Sequence, residues 1–225
     1  MHCLTFVRTL DTVFVKSTLS FTLFRRLHIR TTMAKPYDPL DYDNLARSVV
    51  TALFESVSTA LPPSEKFSGS GVYALYYTGS LPFYSHISSS DLHTPIYVGK
   101  AVPTGTRKGG RQVDSESSAE LYRRLHEHAK SIDQAENLDL VEFQARYLVV
   151  EEVWITLAER FLIDHFRPAW NTVIDGFGNH PPGSGRRGMK RPRWDIVHPG
   201  RSWARKLKAA ETVEEIVRLI DTRTG

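Results

Sequence analysis

Gly71-Val72-Tyr73-Ala74-Leu75-Tyr76-Tyr77 and, beyond a connection rich in Ser, Gly, Pro and Asp, Pro95-Ile96-Tyr97-Val98-Gly99-Lys100 are the two runs from which the architecture is read. Both have the composition of strands, because tyrosine and β-branched side chains suit a pleated surface and the flanking residues favour turns. Alternation puts Tyr73, Leu75 and Tyr77 on one face and Val72, Ala74 and Tyr76 on the other. Each run also sets a glycine two places from a tyrosine, Gly71 before Tyr73 and Gly99 after Tyr97, leaving room for a backbone or ligand to come close. Tyrosine-rich strands are most often half-buried strands, so these residues alone carry no function.

On the N-terminal side, residues 36–62 hold Leu45, Val49, Val50, Leu53, Phe54 and Val57 at helical spacing, with Asp41 or Asp43 as cap and Pro62-Pro63 as stop. On the other side, residues 101–118 form a polar, glycine-rich loop. Residues 119–132 return to helical spacing: Leu121, Leu125, Ala129 and Ile132 share one side, and Arg124 and His128 stack one turn apart at its border. A third strand is expected over 140–150, with Val141, Phe143, Ala145, Tyr147 and Val149 on a buried face and Glu142, Gln144 and Arg146 on a wet one. The helix from 152 to 166 has a main apolar stripe of Val153, Trp154, Leu157, Ala158, Phe161 and Leu162. Glu159 is expected opposite that stripe, with Ile155 and Ile163 one turn away on either side. A carboxylate in such surroundings needs a partner, so a metal, a cation or a hydrogen-bonding group belongs beside it. Pro168 stops this helix, and Trp170-Asn171 follow.

The 225 residues, 41% hydrophobic and 24% charged, suffice for one cored domain with extensions and are short for two. A formal net charge of +4 mildly favours a polyanionic partner. The charge is concentrated: over residues 176–208, Arg186, Arg187, Lys190, Arg191 and Arg193 lie among glycines and beside Trp194, with Asp195 the only carboxylate. The single cysteine, Cys3, excludes a disulfide framework and a Cys-based zinc site and suits a reducing compartment. No run approaches the roughly 20 apolar residues of a membrane span, so a cytoplasmic protein without a membrane partner is expected. Residues 1–32, rich in Arg, Ser and Thr, read as a dispensable leader, with Met33 as the start. Residues 33–66 then form an N-terminal helical segment, 67–177 the core, and 178–225 a basic loop and C-terminal helices, the last opened by the capping-box spelling Thr212-Val213-Glu214-Glu215.

Taken in order, Gly71-Val72-Tyr73, Tyr97-Val98-Gly99, Arg124 and His128 one turn apart, a helical Glu159 and then Asn171 resemble the GIY-YIG nuclease superfamily. Within it the chain resembles the type II restriction endonuclease branch. The core likeness covers residues 71–177; the restriction-enzyme likeness adds 37–53 and 176–203, with Gly-Phe-Gly-Asn and His-Pro-Gly-Arg. Val replaces Ile in both tripeptides, a conservative change in shape at strand positions. The resemblance implies an α+β fold in which a small three-stranded mixed sheet is flanked by helices, with an N-terminal helix and a basic C-terminal extension. It also implies magnesium-dependent, sequence-specific double-strand cleavage of DNA at a palindromic site. A homodimer follows, with a tetramer as the alternative, and a cognate DNA methyltransferase is expected in the same system.

By the same resemblance Glu159 holds one divalent cation, Arg124 stabilises the phosphate, and Tyr97 hydrogen-bonds the phosphate or the nucleophile network. Asn171 fixes geometry. Tyr73 activates water, which requires a neighbouring cation to lower a phenol pKa of ~10. Lys100, His128 and the metal are the candidates, and sequence does not rank them. Arg107, Lys108 and Arg111 in one loop, and Arg186, Arg187, Lys190, Arg191 and Arg193 in the other, are expected to contact DNA. Two other readings stay open, a repair or homing nuclease of the same superfamily and a non-catalytic DNA-binding protein. A tyrosine recombinase is a poor fit, since its nucleophilic tyrosine follows the Arg and His and no tyrosine follows Tyr147.

The two basic loops should separate by phenotype. A residue that only neutralises phosphate weakens binding to every sequence and lowers the salt dependence by about one unit of slope. One that reads a guanine edge contributes about 1–3 kcal/mol at the cognate site alone. Arg186→Ala or Arg187→Ala is expected to narrow the gap between cognate and scrambled duplexes, and Lys108→Ala to weaken both equally. Salt titrations of binding measure this; equal losses on both duplexes for all three variants would locate sequence reading elsewhere.

Overall fold

The computed structural model describes residues 37–88, 90–103, 118–182 and 188–224. The leader expected at 1–32 lies outside them, as do Arg107, Lys108, Arg111, Arg186 and Arg187. The chain divides into two units, Met1–Tyr37 and Asp38–Gly225, and the second has the following architecture. Its main elements are α1 (Tyr42–Glu55), β1 (Thr59–Ala60), β2 (Gly71–Tyr77), β3 (Tyr97–Ala101), α2 (Glu120–Asp133), β4 (Phe143–Val149), α3 (Glu152–Phe166), α4 (Ala169–Thr172), α5 (Arg193–Val197) and α6 (Val213–Thr224).

Strand β2 sits inside the sheet, whose order is β1-β4-β2-β3, and every pairing is antiparallel. The sheet thus has four strands rather than the expected three, and among the described residues it is antiparallel rather than mixed. The extra strand has two residues, too few for alternation to be visible. It follows a helix that ends earlier than its apolar spacing suggested: α1 stops at Glu55, and Val57, counted in the helical stripe, is 86% exposed. No parallel pair arises because β4, after the crossover through α2, enters beside β2 instead of beside β3.

All seven residues of β2 are buried, so the sheet needs cover on both faces. Tyr73, Leu75 and Tyr77 face a core built with Leu121, Leu125, Ala129 and Ile132 of α2, Trp170 of α4, and Trp194, Ile216 and Ile220 of the C-terminal segment. Val72, Ala74 and Tyr76 face a second core with Val50 and Leu53 of α1 and Ile155, Ala158 and Leu162 of α3. Burial of each large side chain is worth about 1.5–3 kcal/mol. The face of β4 expected to be wet is covered as well: Leu148 packs on the second core, and Arg146 Nη1 donates to the carbonyls of Phe54, at 2.8 Å, and Ser56. Val141 precedes the strand, in a 3-10 turn, and is exposed.

Helix α3 is rotated relative to its expected stripe. Ile155, Ala158, Phe161 and Leu162 are buried, whereas Val153 is 78% and Trp154 52% exposed. Ile155, Glu159, Leu162 and Ile163 share one helix face, so docking through Ile155 and Leu162 turns Glu159 toward the sheet. No helix among the described residues is long and apolar enough to cross a membrane.

A buried polar chain ties the C-terminal segment to the core. Trp170 Nε1 donates to the Tyr84 hydroxyl at 2.7 Å, that hydroxyl lies 2.6 Å from His198 Nε2, and His198 Nδ1 lies 2.9 Å from Asn137 Oδ1. Burial lowers His198 from 6.5 to about 3. His128, also buried, is held well below 6.5, first by burial and then by the charges of Arg124, His180 and Arg201.

The folded state keeps both imidazoles neutral, while the unfolded chain protonates them near pH 6.5. Their stability contribution is therefore complete above that pH and is lost as pH falls toward the folded values. Unfolding free energy is expected to be flat above pH 7 and to fall between pH 7 and 5, by about 1.4 kcal/mol per pH unit for each proton taken up on unfolding. Urea titrations across that range measure the slope, which His198→Gln should make shallower by one proton. Equal slopes in both proteins would remove His198 from this account.

Candidate active site

The β2–β3 register sets Tyr73 opposite Gly99 and Leu75 opposite Tyr97, so Tyr73 and Tyr97 project from the same face, with ring centroids 6.3 Å apart. Glycine at 99 is what permits this. A Cβ there would overlap the Tyr73 hydroxyl, come within 2.6 Å of its Cζ and reach 3.0 Å from Tyr97 Cε1. The Tyr73 ring therefore lies across the strand where a side chain would otherwise stand.

Helix α2 brings Arg124 and His128 over these rings. The Tyr73 hydroxyl is 2.6 Å from His128 Nε2, and Phe177 stacks on the imidazole with centroids 4.6 Å apart and planes 16° from parallel. Burial pushes the Tyr73 phenol well above its ordinary value; Tyr97 adds to this, and Arg124 offsets it in part. Burial raises Tyr97 too, against Arg124. Because burial holds His128 well below its ordinary value, it stands beside Tyr73 as a neutral hydrogen-bond partner and not as a cation.

Arg124 is engaged on three sides: Nη1 donates to Glu127 Oε2 at 2.9 Å and lies 3.1 Å from His180 Nε2, and Nη2 donates to the Gly178 carbonyl at 3.3 Å. Glu127 is shared with Arg123 at 2.6 Å. Burial raises the Glu127 pKa, but the hydrogen bond from Arg124 and the charges of both arginines win, so it is lowered overall. Beside these groups lies a cavity of about 170 Å³ lined by Arg124, Glu127, His128, Ser131, Phe177 and His180. A larger one, about 450 Å³, lies near His165, Arg167 and Thr172 and includes none of the sequence-derived site residues.

Glu159 pairs with Lys100 Nζ at 2.7 Å, the two side chains being 22% and 32% exposed; Lys100 also reaches Thr156 Oγ1 at 3.3 Å. Of the partners expected for Glu159, a metal, a cation or a hydrogen-bonding group, the structure shows the Lys100 ammonium. Lys100 alternates with Gly99 and sits opposite Val72, on the α3 face of the sheet; the Glu159 charge nonetheless reaches both phenols, adding to the rise at Tyr97 and Tyr73. Asn171 serves the backbone: its Oδ1 accepts from Val98 N and its Nδ2 donates to Val98 O, both at 2.8 Å. Strand β3 is an edge, and this amide occupies groups that a further strand would otherwise pair.

Of the basic residues expected at DNA, Lys190 is exposed. Arg191 donates to the carbonyls of Ala204, at 3.1 Å, and Arg205, at 2.8 Å. Arg193 grips Glu211 at 2.7 and 2.6 Å and the Val173 carbonyl at 3.1 Å. Glu127, Phe177 and His180 were not singled out from sequence. The i, i+3 spacing of Arg124 and Glu127 was a signal for the first; Phe177 and His180 meet α2 only through the chain's return.

A family model described as the Eco29kI GIY-YIG domain matches residues 65–223. No curated protein matches the chain.

Gly99→Ala tests the geometry at its tightest point. Overpacking a buried contact of this kind costs about 1–3 kcal/mol, to be read from urea unfolding. The same substitution is expected to drive the Tyr73 hydroxyl from His128, seen as a shift of the His128 ring resonances. An alanine variant with unchanged stability and unchanged resonances would show that Tyr73 does not need the space.

Proposed function

The chain belongs to the Eco29kI GIY-YIG domain family, a family of restriction-type nucleases, and on that premise we propose that it is an active magnesium-dependent endodeoxyribonuclease. It cuts both strands of DNA at a specific palindromic site, as a homodimer whose twofold axis matches that of the site. The observation that carries this reading is the convergence of Tyr73, Tyr97, Arg124 and His128 at one place, with the Tyr73 hydroxyl 2.6 Å from a neutral imidazole.

Phosphodiester hydrolysis needs a nucleophilic water, neutralisation of charge on the phosphoryl oxygens and stabilisation of the departing 3′ oxygen. Arg124 offers a planar fork for the phosphoryl oxygens, which replace its present acceptors His180 and the Gly178 carbonyl. Tyr73 takes the proton of the attacking water as its own hydroxyl proton passes to His128 Nε2. The relay leaves a neutral phenol and an imidazolium, so no buried phenolate accumulates. Tyr97 hydrogen-bonds within the same network, and Asn171 holds β3 and hence Tyr97 in place.

The donor set fits a magnesium ion. Glu159 offers a hard carboxylate oxygen and is partly exposed. One carboxylate with retained waters and substrate phosphate is how this ion is commonly held. Glu159 would hold the ion, which would supply positive charge to the phosphoryl and leaving oxygens; Lys100, paired with that carboxylate at 2.7 Å, would then be available to the phosphate backbone.

Incubating the protein with a plasmid of known sequence and magnesium, then mapping the ends, tests the reading. Glu159→Gln is expected to abolish cleavage near neutral pH while sparing DNA binding in calcium, because the amide keeps the shape and loses the charge. Cleavage by the glutamine variant at the wild-type rate would return Glu159 to a structural role, and a wild-type protein that leaves every plasmid intact would remove the nuclease reading.

A further inference from the structure

Arg201 is 2% exposed, and all five N–H groups of its guanidinium are in use. Nε and Nη2 donate to the two oxygens of Asp195 at 2.6 Å each. Nη2 also donates to the Gly176 carbonyl at 2.9 Å, and Nη1 to those of Phe177 at 3.0 Å and Asn179 at 3.2 Å. The rings of Trp194 and Trp203 lie 4.5 and 4.8 Å from its Cζ. An arginine built to meet DNA keeps its fork free; this one has no donor left.

The three carbonyls belong to one turn, residues 176–179, and that turn lies over the reactive groups. It puts Phe177 flat on His128 at 4.6 Å, sets the same ring 4.9 Å from Tyr97, and brings the Gly178 carbonyl to Arg124 at 3.3 Å. The other residues of His198-Pro199-Gly200-Arg201 are fastened to the C-terminal end of α2, the helix that carries Arg124 and His128. The Pro199 carbonyl accepts from Glu136 N at 2.7 Å, and His198 Nδ1 meets Asn137 Oδ1 at 2.9 Å. Gly200 passes so close to the Gln134 carbonyl that no Cβ fits there.

We propose that Arg201 is a positioning residue for the Tyr73–His128 pair. By fixing the 176–179 turn against the end of α2, it presses Phe177 onto the imidazole and holds Nε2 at the Tyr73 hydroxyl. Lysine cannot substitute, because an ammonium has three donors and no plane to fit between two indoles. The effect on cleavage rests on the function proposed above; the effect on His128 does not.

The test uses the full chain with Arg201→Lys and Phe177→Leu, the second leaving the clamp itself intact. Two quantities are read: the titration of the His128 ring by NMR, and the single-turnover rate on duplex DNA. His128 is faced by Tyr73 from β2, Tyr97 from β3, Arg124 from its own helix, and His180 and Arg201 from the C-terminal segment. In both variants the His128 midpoint is expected to move up toward its ordinary value as burial is relieved. Cleavage should slow ~10- to 100-fold with DNA affinity unchanged, the pattern of a misplaced reactive group rather than a lost contact. Folded Phe177→Leu protein in which His128 titrates as in wild type and cleavage is undiminished overturns the proposal, and it decides the matter if Arg201→Lys does not fold. If wild type cleaves no duplex, the nuclease reading fails while the His128 titration still judges the positioning.

Discussion

Strand β2 has no solvent face, and the other elements are arranged by that condition. A strand buried on both sides demands two layers of cover, and the chain provides them from different regions, α1 and α3 on one face and α2 with the C-terminal segment on the other. The tyrosines of β2 complicate the burial. A phenol hydroxyl buried without a partner costs about 1–3 kcal/mol; the Tyr76 hydroxyl bears that cost, while the layer over Tyr73 brings a polar group to it. His128 is that group, and it arrives on the same helix as Arg124. The demand that completes the core is thus the one that brings Tyr73 and His128 together.

Three buried polar centres are neutral or fully paired, whereas the Tyr76 hydroxyl, Arg146 Nε and Trp194 Nε1 are buried without a hydrogen-bond partner among the described residues. Tyr73 with His128, and Tyr84 with His198 and Asn137, are uncharged chains of donors and acceptors. Arg201 with Asp195 is charged, and its guanidinium is saturated. Removing one partner from such a buried pair costs about 3–5 kcal/mol, which makes the clamp a fixed part of the architecture. Lys100 and Glu159 differ in kind, since at 32% and 22% exposure water screens the pair and it contributes little.

Much of the arrangement was legible in the chain itself. The alternation of β2, the apolar face of α2 with Arg124 and His128 at its border, and the need of Glu159 for a partner all follow from periodicity and from the cost of burying charge. The stripe of α3 was misjudged because the helix is apolar around most of its circumference, and only docking selects which side is buried. The basic stretch after Asp175 is not uniform. Arg191, Arg193 and Arg201 look alike in sequence, yet the structure spends them on carbonyls, Glu211 and Asp195.

Local pattern alone located β2, β3, the body of β4 and the helices α1, α2 and α3, because those depend on spacing along the backbone. Tertiary structure decided what no spacing encodes. It set Tyr73 across Gly99, gave Lys100 to Glu159 on one face and His128 to Tyr73 on the other, and drew Phe177 onto the imidazole. It also bent a distant His-Pro-Gly-Arg turn back onto α2. Each of these is a contact between segments far apart in the chain, chosen by which buried donor, acceptor or charge has to be satisfied. That requirement exists only once the layers have closed and water has been excluded from between them.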